Sequence, residues 1–202
     1  MSFEDTLHQL SEGTAKVVLQ LWEALDLGEL DPDDFPELVA MLVATANAQG
    51  AAAGQLAFRA FMEAHDASPT AIAAVAAVDD HERLLQAVGT VLSSELDTRM
   101  QLERLARNEP MQAATNAFHD AMQGEQRVSG WRRQLEAEPC QLCRWWARDG
   151  RVWQADHRMP RHTGCACHQI PVIDEATDNF QTTRQARATA AMNDRRTRKA
   201  TA

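Results

Sequence analysis

The sequence predicts a mainly α chain in which long N-terminal helices precede a small mixed α/β domain stapled by cysteine and histidine. Three observations predict it. Apolar residues recur at helical spacing through much of the first 124 positions. After Gly124 short β-prone runs and turn signals replace these long periodic stretches. All four cysteines of the 202 residues fall between Cys140 and Cys167.

The elements follow in order. Residues 3–28 read as an amphipathic helix, with Phe3, Leu7, Leu10, Val17, Val18, Leu21 and Leu25 near helical spacing and Gly28 as its stop. Asp31-Pro-Asp-Asp-Phe-Pro is a punctuated link, and Pro36 suits the first position of the next helix. Residues 36–66 predict a long Ala-rich helix, loosened at Gly50 and Gly54. Their small side chains allow close approach to a neighbour, but the plain reading is an Ala-rich helix and nothing more. Ser68 and Pro69 open a further helix, running to about 107 with a break near Asp79-Asp80. Asn108-Glu-Pro-Met starts a short one that ends at Gly124.

Beyond Gly124, Arg127-Val-Ser-Gly-Trp-Arg is a short β-prone run. Pro139-Cys-Gln-Leu-Cys-Arg-Trp-Trp-Ala is a turn entering a short helix. Asp149-Gly150 signals a turn, and Arg151-Val-Trp-Gln a strand leaving it. Met159 to Cys167 reads as a loop and His168-Gln-Ile-Pro-Val-Ile as another strand. The predicted organisation is a helical partner-binding region over 1–124, a Cys/His domain over 125–175 and a basic polar tail over 176–202.

Charge divides the chain. Residues 1–130 carry 21 acids and 7 bases, which repels nucleic acid from the front. The tail offers Arg184, Arg187, Arg195, Arg196, Arg198 and Lys199, which read first as an ordinary solvated terminus and second as a contact for phosphates or an acidic protein surface. No apolar run reaches membrane-span length, and the start lacks the charged-then-apolar order of a signal peptide, so folding in a reducing cytoplasm is expected. There a Cys-x-x-Cys is more often metal-binding or redox-active than a structural disulfide.

Cys140-Gln-Leu-Cys143 and His162-Thr-Gly-Cys165-Ala-Cys167 supply five soft donors in two clusters. Zinc favours four such ligands, with one pair on a knuckle and the other from a distant segment. The expected set is Cys140, Cys143, His162 and Cys165, with Cys167 as the alternative fourth ligand. Such a site leaves no position for water and reads as structural, not catalytic. Disulfides joining the clusters are the second reading and dithiol redox chemistry the third, because no βαβ context surrounds the Cys-x-x-Cys. Asp156-His157 behind that knuckle also resembles a His-Asn-His endonuclease core, but the later Asn179 and Asn193 sit in the polar tail. His8, His65, His81 and His119 lack any partner pattern.

Val128-Ser-Gly-Trp-Arg-Arg, Glu138-Pro-Cys-Gln-Leu-Cys, Asp149-Gly-Arg-Val, Arg161-His-Thr-Gly-Cys-Ala-Cys and Ile170-Pro-Val occur in that order. Together they resemble the phage Mu F-like minor head protein family over about residues 127–173. The family's pattern is a Cys-Pro-x-Cys knuckle, a Gly-Lys/Arg strand and a closing His-Pro-Asn-Cys-Arg-Cys. Here Gln141 stands where Pro is common, and the closing motif lacks its Pro and Arg, so the match rests on spacing and order.

The resemblance implies a non-enzymatic virion protein, several copies per particle, made in the host cytoplasm and placed in the head interior or at the portal. It implies the portal protein or the major capsid protein as partners, and a role in capsid assembly, DNA packaging or DNA exit. It implies packaged DNA as a contact for the tail, and no membrane. No nucleophile–base pair or Gly-rich phosphate loop speaks for turnover. The second functional class is a zinc-knuckle DNA-binding regulator, against which the acidic front argues.

Overall fold

The computed structural model describes residues 2–65 and 80–173. In chain order they form α1 (Phe3–Asp26), α2 (Phe35–Ala64), α3 (His81–Leu92), α4 (Thr98–Gln123), β1 (Val128–Gln134), α5 (Gln141–Ala147), a 3₁₀ turn (Arg148–Gly150), β2 (Trp153–Gln154) and β3 (His168–Ile173). The fold is therefore mainly α with a small sheet beside a Cys/His cluster, as the sequence predicts.

Local signals explain the helix starts. Ser2 accepts from the Asp5 N–H at 3.1 Å while the Asp5 carboxylate accepts from the Ser2 N–H at 2.8 Å, a reciprocal capping box. Past the end of α1, Gly28 takes φ 73°, the left-handed conformation that closes a helix at little cost. Pro36 sits in the first turn of α2. Asp97 opens α4 by accepting from the Met100 N–H at 2.9 Å.

The main core lies among the four long helices. Ala15 and Val18 of α1, Phe35, Val39, Ala40 and Val43 of α2, Leu84 and Val88 of α3, and Leu102 and Ala106 of α4 are all buried together. A polar clamp closes one side of it. Arg83 bonds both Asp80 and Glu109, and the buried Asn47 amide donates to the same two carboxylates at 3.1 and 3.2 Å.

Two expectations are corrected. The helix start at Asn108-Glu-Pro-Met does not exist: α4 runs through Pro110 without a break. The break falls instead at Ser93–Asp97, where Ser94 accepts from the Leu96 N–H and Asp97 caps the next helix. An interior proline costs about 3 kcal/mol in a bare helix. Here Pro110 is buried, and its neighbour Glu109 is anchored by Arg83 and Asn47.

The second correction concerns α2. Gly50 and Gly54 do not loosen the helix; they let it touch α4. A Cβ built on Gly50 would lie 2.3 Å from the Pro110 carbonyl oxygen, and one on Gly54 2.0 Å from that of Ala114. The predicted helix start at Ser68–Pro69 and the predicted basic tail over 176–202 lie outside the described residues.

The sheet has the order β2-β1-β3, with β1 and β2 antiparallel in the register Gly130 to Gln154 and Trp131 to Trp153. Trp131 and Trp153 stack with ring centroids 5.5 Å apart, and the Trp131 indole donates to the His157 carbonyl at 2.8 Å. The Cys/His segment packs directly on the helices. Ala166 is buried against Leu7, Met111 and Ala114, and Phe3 lies between Phe118 and His168.

His119 of α4 is buried, with Gln169 Nε2 of β3 3.1 Å from its Nδ1. Burial, and secondarily the Arg158 charge, lowers its pKa below the ordinary histidine value. A depressed folded-state pKa means the unfolded chain binds the proton more readily. Stability from this histidine is therefore present above about pH 6.5 and drains away as pH falls toward the lower folded value. His119→Gln should flatten that acid limb relative to wild type, read by urea denaturation at a series of pH values with the metal content held constant.

Candidate metal centre

The knuckle forms because Cys140 is the N-cap of α5. Its backbone is extended behind Pro139, and its sulfur accepts from the Cys143 N–H at 3.4 Å. One turn on, Cys143 points inward and is fully buried. Asp149 (φ 58°) and Gly150 (φ 61°) then reverse the chain into β2. The second cluster turns at Gly164 (φ 76°), where the Cys165 N–H reaches back to the His162 carbonyl. Gly164 supplies the left-handed residue this turn requires.

All five predicted donors meet here. His162 Nε2 lies 3.1 Å from the Cys140 sulfur and 3.2 Å from that of Cys143, and the Cys143 and Cys165 sulfurs are 3.4 Å apart. Donors sharing one zinc at bond lengths of about 2.0–2.3 Å stand roughly 3.5 Å from one another, so these contacts suit a common ion. The donors group as two triads, Cys140–Cys143–His162 and Cys143–Cys165–Cys167. Cys143 belongs to both. Either triad can hold a metal ion.

No two cysteine sulfurs stand at bonding distance. All four cysteines are free, and the 3.4 Å between Cys143 and Cys165 far exceeds the roughly 2.05 Å of an S–S bond. Burial pushes the Cys143 thiol up to about 12. A hydrogen bond with Cys165, and then burial, raises Cys167 as well. Without a cation these sulfurs hold their protons at neutral pH; a bound metal displaces them.

The surroundings fit a metal. His162 Nδ1 lies 3.1 Å from the Thr163 carbonyl, a partner that fixes the proton on Nδ1 and turns Nε2 toward the sulfurs. Cys167 faces Glu136, whose backbone N–H donates to the sulfur at 3.5 Å while its carboxylate accepts from the Ala166 N–H at 3.2 Å. Arg133, 7% exposed, directs one guanidinium nitrogen at the Cys143 and Cys165 sulfurs at 3.7 and 4.0 Å and lies 4.9 Å from the centre of the Trp146 ring. Arg161 donates to the Met111 and Cys165 carbonyls, each at 2.7 Å, and to the Thr115 hydroxyl. Burial lowers the Arg161 pKa.

Neither arginine meets a carboxylate among the described residues. Buried cations need negative charge nearby. Three or four thiolates around a divalent ion carry a net charge of −1 or −2 and supply it; four neutral thiols do not.

Sequence reading missed Arg133, Glu136 and Arg161 as parts of the site. For Arg133 a signal existed: it shares the inward face of β1 with Trp131, two residues away. Nothing local marks Glu136 or the direction of Arg161. His157 is exposed and stacks on Trp153 at 4.5 Å, and it belongs to neither group of possible metal ligands among the described residues.

Comparison with known proteins found no matching family model, no matching curated protein and no matching solved structure.

Proposed function

We propose that the Cys/His cluster binds one structural zinc ion and that the chain serves as a minor head protein of a tailed bacteriophage, without catalytic turnover. The observation that carries the metal is the buried Arg133 and the half-buried Arg161 beside buried sulfurs, with no carboxylate paired to either among the described residues. Cys140, Cys143, His162 and Cys165 are the ligands of choice: His162 Nε2 lies 3.1 and 3.2 Å from the first two sulfurs, and the Cys165 sulfur 3.4 Å from that of Cys143. Cys167, turned to Glu136, is the reserve. When bound, zinc supplies a fixed charge and a rigid crosslink; the chain's own residues bind, orient and bury it.

The viral role rests on the ordered motifs from Val128 to Val172 and on the division of charge along the chain. In this reading α1 to α4 dock on a portal or capsid protein, the zinc knot makes a rigid block, and the basic tail over 176–202 reaches packaged DNA. The sulfur-rich, all-protein donor set favours a structural ion over a hydrolytic one, which keeps a position open.

Elemental analysis with thiol counting on native protein tests the metal. One zinc per chain with no disulfide is the expected result; no metal with four oxidised cysteines ends that part of the proposal. Co-purification with a portal protein, where the gene neighbourhood encodes one, tests the role. A neighbourhood with no portal or capsid gene removes the viral assignment and leaves the metal site standing.

A further inference from the structure

The outer face of α5 is unusual for this acidic chain. Leu142 is 44% and Trp145 52% exposed, one helical turn apart. Arg148 stacks its guanidinium on Trp145 at 4.8 Å, Arg144 is exposed on the same helix, and Arg151, exposed just past it, lies over the Trp153 ring at 3.7 Å. Arg144, Arg148 and Arg151 make no ion pair among the described residues, although Asp149 lies within the same stretch; most of the helical arginines, by contrast, are paired. Exposed Trp and Arg around an apolar centre are the residues that carry binding energy at protein interfaces.

A complement to this face exists on the same chain. The link from α1 to α2 exposes Asp26, Leu27, Glu29, Asp31, Asp33 and Asp34, with Leu27 at 72%. No Lys or Arg occurs between Lys16 and Arg59 to offset these acids. The tip thus offers negative charge around an exposed leucine, where α5 offers positive charge around an exposed tryptophan.

The two surfaces cannot meet within one molecule. The start of α1 is tied to the Cys/His segment, with the Ala137 N–H donating to Glu4 at 3.2 Å and Phe3 packed on His168. The 24 residues of α1 then carry the chain about 36 Å to the acidic tip. We infer that the α5 face receives the α1–α2 tip of a second copy of this chain, giving a head-to-tail contact.

Such a contact joins two different surfaces, so it leaves one free surface of each kind and propagates into a ring or a filament. A second copy fits both features of the face, since its tip brings Leu27 to the apolar centre as well as acids to the arginines. The inference is independent of the viral reading.

Sedimentation velocity of the full, metal-loaded chain tests it. Wild type should grow beyond a dimer as concentration rises, and raised salt should reverse this. The double variant Trp145→Ala, Arg148→Glu should stay monomeric, with the contact weakened about tenfold or more. So should Asp31→Lys, Asp33→Lys. An equimolar mixture of the two should stop at the dimer, since each keeps one working surface. Unchanged thermal midpoints and metal content show that the variants fold. Wild type that remains monomeric at every concentration overturns the inference, as does self-association surviving in either variant. A single-stranded oligonucleotide that binds wild type and not the Arg148→Glu chain, with wild type monomeric, replaces it by nucleic-acid binding.

Discussion

Replacing Cys143 by serine should abolish stoichiometric metal binding and unfold the segment from β1 to β3 while leaving the four-helix core helical. Cys143 is the residue both donor triads share, so no rearrangement among the remaining four restores a site that uses it. Serine keeps the size but loses the soft thiolate that zinc prefers. A structural zinc contributes on the order of 10 kcal/mol, which is comparable to the whole stability of a small domain. Losing the ion also strands the buried Arg133, and the half-buried Arg161 beside it, without counter-charge.

The measurements are zinc per chain, far-ultraviolet dichroism and tryptophan emission. Trp131, Trp146 and Trp153 lie in the affected segment, so their emission should shift red while the helical signal of α1 to α4 persists. Cys167→Ser is the comparison. Its sulfur faces Glu136, so this variant should keep at least most of the metal if Cys165 is the fourth ligand. A Cys143→Ser chain with full zinc and unchanged emission would remove the cluster as a metal site.

The sequence made the locally coded parts of this architecture legible. Ser2 and Asp5 start α1, Gly28 ends it, Pro36 opens α2, and the Cys140 knuckle sits at an extended residue before a short helix. Each depends on residues within one turn of each other. A short β-prone run likewise marks β1, and spacing alone marks the five donors. What stayed hidden depends on contacts between distant segments. Pro110 reads as a helix breaker until Glu109 is seen clamped by Arg83 and Asn47. Of the arginines beside the sulfurs, Arg133 shares the inward face of β1 with Trp131, but no local pattern aims Arg161, in the loop before His162, at the site. The division of five donors into two triads around Cys143 likewise follows from how two loops converge, which spacing does not specify.

Gly54→Ala should destabilise the fold by about 1–3 kcal/mol although alanine is the better helix former. In an open helix the exchange gains up to about 1 kcal/mol. At Gly54 the added methyl would lie 2.0 Å from the Ala114 carbonyl oxygen and 3.1 Å from the Phe118 nitrogen, so backbone must move. A flexible side chain could step aside; a helix backbone carries its neighbours with it. Ala114 packs with Leu7, Met111 and Ala166, and Ala166 sits between Cys165 and Cys167. Displacing α4 therefore loosens the seat of the second cysteine cluster, and metal affinity should fall along with the urea midpoint.

Gly13→Ala provides the opposite sign. Nothing lies within 4 Å of a Cβ at Gly13, which is exposed within α1, so alanine there should stabilise by about 0.5–1 kcal/mol. Two glycine-to-alanine changes in helices of one protein, measured by the same denaturant titration, should thus move the midpoint in opposite directions. If Gly54→Ala raises stability as Gly13→Ala does, the backbone contact between α2 and α4 is not what makes Gly54 necessary.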